Sequence, residues 1–105
     1  MDELLKILEE IGLSYAYDHF AEGESPAPPF LCYLMPGTDH FAADGIVYLE
    51  ISEVHFELYT DAKSPATEQS VEAVLETHGI FYEKYETWIE SEKLYQVLYL
   101  FDWRN

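Results

Sequence analysis

Asp39, His40 and Asp44 lie within six residues of one another in the stretch GTDHFAADG (37–45). Imidazole nitrogens and carboxylate oxygens both ligate divalent metals, so a metal site is the first chemistry to weigh. Zinc sites draw more His or Cys at helical or knuckle spacings, and His19, His55 and His78 each fall in a different segment. The three residues therefore read as polar side chains of a solvated loop, and no metal or cofactor is expected. Phe41, an aromatic in the same loop, either folds back on the core or protrudes as an anchor.

A second row, Glu53, His55 and Glu57, alternates along one apolar run and so projects from a single strand face. Carboxylate beside imidazole suits acid–base work, but any sheet face that meets water shows the same alternation. Ser52 with His55 and Asp61 lacks the strand–turn–helix setting of a nucleophile elbow. Cys32 sits inside FLCYLM (30–35), where a buried, inert thiol is the default. With no glycine loop for phosphate either, the chain is not expected to be an enzyme.

Charge narrows the remaining classes. The 105 residues carry 21 Asp and Glu against 5 Lys and Arg, a formal net charge of −16. Phosphate binding needs clustered cations, whereas Lys6, Lys63, Lys84, Lys93 and Arg104 are scattered. Direct nucleic-acid binding is not expected on this ground. Such acidity suits a solvated surface, a DNA mimic or the attraction of a basic partner. At 49% hydrophobic and 16% aromatic content there is ample material for one core. A single domain over 1–105 is expected. Without a long apolar run or a signal-like start, it is expected to be soluble and cytoplasmic.

The elements that position these residues follow from periodicity. DELLKILEEIG (2–12) places Leu4, Leu8 and Ile11 at helical spacing with Gly12 as its stop. LSYAYDHF (13–20) reads as a short strand, AEGESPAPP (21–29) as a flexible loop, and FLCYLM as a strand ending at Pro36-Gly37. In IVYLEISEVHFELYTD (46–61) the apolar phase slips near Ser52, which predicts one long strand with a bulge there. Ser64, Pro65, Glu68 and Gly79 mark a helix within 63–79. IFYEKYETWI and LYQVLYLFDW, joined by ESEK (90–93), read as a hairpin. The fold class is thus α+β, an antiparallel sheet of about four to five strands with two helices on one face.

The last strand is apolar on both sides. Tyr95, Val97, Tyr99, Phe101 and Trp103 alternate with Leu94, Gln96, Leu98 and Leu100. Two modest helices cover one face, which leaves aromatic side chains on the other in need of shelter, by a partner or by the long loops folding over them. Trp88, Tyr99 and Trp103 are accordingly expected to be contact residues.

The run PPFLCYLMPGTDHFAADGIVYLEISEVHFELYTD, followed by the helix and GIFYEKYETWIESEKLYQVLY, resembles small proteins from the head–tail gene cluster of long-tailed bacteriophages, or prophages, of Gram-positive bacteria. The resemblance spans residues 28–100 and rests on PPF-x-x-Y, the Phe41–Ala43–Asp44 loop, Tyr48-x-Glu50, and ELYT (57–60). The acidic first loop, AEGESPA, departs from it. What the resemblance implies is a tail-terminator or tail-completion protein, a structural subunit that forms a homo-oligomeric ring, often sixfold, on the tail tube. Its partners would be other tail or connector proteins, and its place the virion head–tail junction after assembly in the host cytoplasm. A monomer would then precede assembly, and an acidic ring lumen would repel DNA. Phe41 would be an anchor, with Asp39, His40 and Asp44 as its polar rim. The other class open to this sequence is a small acidic binding module, a secretion-type chaperone or a DNA-mimicking inhibitor.

Overall fold

A computed structural model describes the backbone of residues 2–21, 23–43 and 46–104, and the side chains of these except 2, 38–43 and 46–50. In α1 (Asp2–Ile11), Leu4, Ile7 and Leu8 follow helical spacing and are sealed from solvent, as a one-sided apolar stripe requires. Gly12 ends the helix at φ 79°, a left-handed conformation that side chains resist. In α2 (Pro65–Thr77) the Ser64 hydroxyl accepts the Thr67 amide, and Pro65 occupies the first turn. Val71 and Leu75 form its buried stripe. His78, at the end of α2, lies 2.7 Å from a Glu10 carboxylate oxygen, tying the two helices together.

The five strands β1 (Ser14–Tyr17), β2 (Phe30–Ala43), β3 (Ile46–Thr60), β4 (Glu83–Ile89) and β5 (Leu94–Arg104) form one sheet in the order β1-β2-β3-β5-β4. Both helices pack on one face of it, where Leu31, Phe56, Leu58, Val97 and Tyr99 join their apolar stripes in a single core. The α+β reading and its element order hold. One pairing differs: β1 and β2 run parallel, because loop 18–29 supplies the dozen residues that a parallel return requires.

The bulge also moves. β3 pairs with β5 without interruption from Ile51 to Thr60, so nothing slips at Ser52. Nearest to it the extra residue is on β2, where Leu34 faces His55 and Gly37 faces Glu53, leaving Met35 and Pro36 opposite Val54 alone; a second irregularity, where Phe41 faces Leu49 and Ala42 faces Val47, skips Tyr48 of β3. The amide of Met35 donates to the Tyr17 hydroxyl at 3.1 Å, satisfying a group that the bulge withdraws from the ladder. Pro36 is tolerated there because β2 is an edge strand at that point.

Candidate assembly surface

The segment expected to be a loop, 37–45, is strand as far as Ala43. β2 and β3 continue together as a two-stranded ribbon past the end of the sheet. Arg104 of β5 stops opposite Ile51, so residues 46–50 of β3 pair with β2 alone, over a length of ~17 Å at ~3.4 Å per residue. On its other side β2 meets β1 only from Phe30 to Tyr33. Among the described residues no further strand pairs with either edge of the ribbon, so both edges are open. The radius of gyration is 15.1 Å and the extents are 51 × 29 × 23 Å, against ~13 Å for an ordinary domain near this size. The ribbon gives the molecule its length.

Asp39, His40 and Phe41 belong to the ribbon backbone. Their side chains, and Asp44 altogether, lie outside the described residues. The hairpin contacts can be placed. Tyr99 is fully buried and is corrected from contact surface to core. Its hydroxyl donates to Glu72 at 2.6 Å. Trp103 is half-buried against the same core. Trp88 is 42% exposed, tilted on Tyr95 at 4.8 Å, with its indole N–H donated to Glu90 at 2.6 Å.

The sheet face expected to need shelter differs accordingly. The aromatic parity of β5 is the one beneath the helices, and Tyr99 and Phe101 are already dry. The open face carries Leu98 and Leu100, both half-buried, among Glu53, His55, Glu57 and Asp102. The row of Glu53, His55 and Glu57 does share that face, with His55 Nε2 2.8 Å from Glu53. Burial lifts the Glu57 carboxyl above its ordinary value, although the Tyr59 hydroxyl donates to it at 3.1 Å. Ser52, 4% exposed, lies on the other parity of β3 from His55, so the two project to opposite faces. Burial pushes the Cys32 thiol up to about 11. Among the described residues no group of three His, Cys, Asp or Glu side chains could hold a metal ion. No helix among them is long and apolar enough to cross a membrane.

Two features escaped the sequence reading. Phe81 is 96% exposed on the connection into β4, because β4 begins only at Glu83, while Ile80 and Tyr82 turn to the core. Glu68, chosen as a helix-start charge, is 3% exposed. Its two oxygens receive Lys63 at 2.7 Å and Lys84 at 2.9 Å, and Lys84 also reaches Glu72 at 2.7 Å. Burial alone would raise the Glu68 carboxyl, but the bonds from Lys63 and Lys84 outweigh it and hold the group below its ordinary value. Hydrogen bonding to Glu72, and then to Glu68, keeps Lys84 charged. Two of the five cations thus clamp β4 to α2.

No family model matches the chain, and no curated protein matches it in sequence. Among solved structures, it is similar to a chain in the virion of a native gene transfer agent particle, at 13% identity with a TM-score of 0.65, over 93% of this chain and 82% of that one. At this identity the likeness is one of fold.

Proposed function

We propose that the chain is a structural component of a phage or phage-like particle, acting by contact rather than catalysis, at the head–tail junction as a tail terminator or adjacent connector subunit. The observation that carries this reading is the β2–β3 ribbon, whose two open edges extend past the sheet. An isolated two-stranded ribbon is marginal in water, and open backbone edges pair readily with further strands. The fold it shares with a chain of a gene transfer agent virion supports the same class of role. Covering the ribbon with neighbouring subunits would satisfy those edges. The net charge of −16 would keep free subunits apart until a tail end collects them.

Mass photometry of the purified chain, alone and with purified tail tubes, tests this. The expected result is a monomer that becomes a ring-sized species on tubes, visible at tube ends by electron microscopy. A chain that ignores tubes and connector complexes alike would refute the reading.

A further inference from the structure

Loop 18–29 and the β4–β5 turn enclose a groove of about 840 Å³ at the end of the open sheet face. Its floor is aromatic: Phe30 and Tyr59 stack at 5.1 Å and 25°, and Phe20 meets Phe30 edge-on at 5.3 Å. Its rim carries Asp18, Asp61 and Glu92. The two basic side chains of the rim are already engaged, His19 with Asp18 at 3.0 Å and Lys93 with Glu90. Asp61 and Glu92 have no side-chain partner among the described residues. A stacked aromatic floor beneath unpaired carboxylates is complementary to one side chain above others.

We propose that this groove binds an extended segment of another protein through an arginine, its guanidinium plane lying over the aromatic floor and its N–H groups meeting Asp61 and Glu92. Arginine fits better than lysine because its planar, weakly hydrated cation both stacks on rings and forks to carboxylates. The apolar wall offered by Ile89 and Leu94 takes an aliphatic residue beside it. A second copy of this chain is the poorer occupant, since its own surface is strongly acidic. The ribbon is not involved, so the two proposals stand or fall separately.

The test is amide chemical-shift titration of the full chain with the capped peptide acetyl-Gly-Arg-Leu-Arg-Gly-amide, its citrulline counterpart of equal shape without charge, and its lysine counterpart. Saturable shifts centred on Phe30, Cys32, Tyr59, Asp61 and Leu94 are expected for arginine, weaker ones for lysine and none for citrulline. Asp61→Asn with Glu92→Gln should weaken arginine binding about fivefold, and both positions are exposed, so folding should persist. A control pair away from the groove, Glu3→Gln with Asp102→Asn, should change it little. Shifts spread over the whole acidic surface, equal binding of citrulline or lysine, or equal loss in both variant pairs would overturn the proposal.

Discussion

Lys84 reaches Glu68 and Glu72 from β4 and lies 5.9 Å from the centre of the Tyr99 ring. Replacing it by methionine fills the same space and leaves two largely buried carboxylates with one cation fewer. Breaking such a buried arrangement from one side costs ~3 kcal/mol, and urea unfolding of Lys84→Met at neutral pH should show a loss of that size. The pH dependence has a definite sign. Glu68 is held below its ordinary value of 4.5, so its contribution is complete above that value and disappears as pH falls through the lower folded value. Acid should therefore destabilise the natural chain more steeply than Lys84→Met. Curves that stay parallel from neutral pH down to about pH 3 would remove Glu68 from the account. None of this was legible from sequence, where Glu68 suited an N-terminal helix charge and nothing showed that β4 would bring a lysine over it.

At the scale of elements, what could be read was what local chemistry decides. The hairpin turn at 90–93 and the bounds of α2 followed from turn and cap residues whose preferences need no tertiary partner. The ribbon did not, because Pro36-Gly37 reads as a stop in any isolated segment, whereas an edge strand accepts it as a bulge. The apolar alternation that begins in 46–50 and that of 54–58 belong to different surroundings, the first flanked by β2 alone and the second by β2 and β5. Their slip in phase therefore marked the end of β5 and not a bulge at Ser52. Alternation on both sides of β5 likewise could not tell which face the helices cover, which is how Tyr99 came to be placed outside. Excising residues 39–51 and joining Thr38 to Ser52 through Asn-Gly, a favoured two-residue turn, should leave the core intact. The melting temperature should fall by no more than about 5 °C, while the radius of gyration in X-ray scattering drops toward ~13 Å. Collapse of the fold on excision would show that the ribbon is part of the core's support.

Considered whole, the molecule holds −16 within an envelope 51 Å long. Raising salt from about 0.01 M to about 0.1 M shortens the screening length from ~30 Å to ~10 Å, which spans the distances between its carboxylates. Self-repulsion is thus relieved across the body while the buried clamp at Glu68 is little screened. The urea midpoint should rise over that range, and a fall would mean that exposed ion pairs dominate. The chain's single cysteine adds a last consequence. Cys32 is 4% exposed on the groove floor, with its thiol held protonated at neutral pH. A disulfide reagent in excess can reach that sulfur only when the floor lifts, so its rate of modification clocks the breathing of this one corner, separately from the melting of the rest.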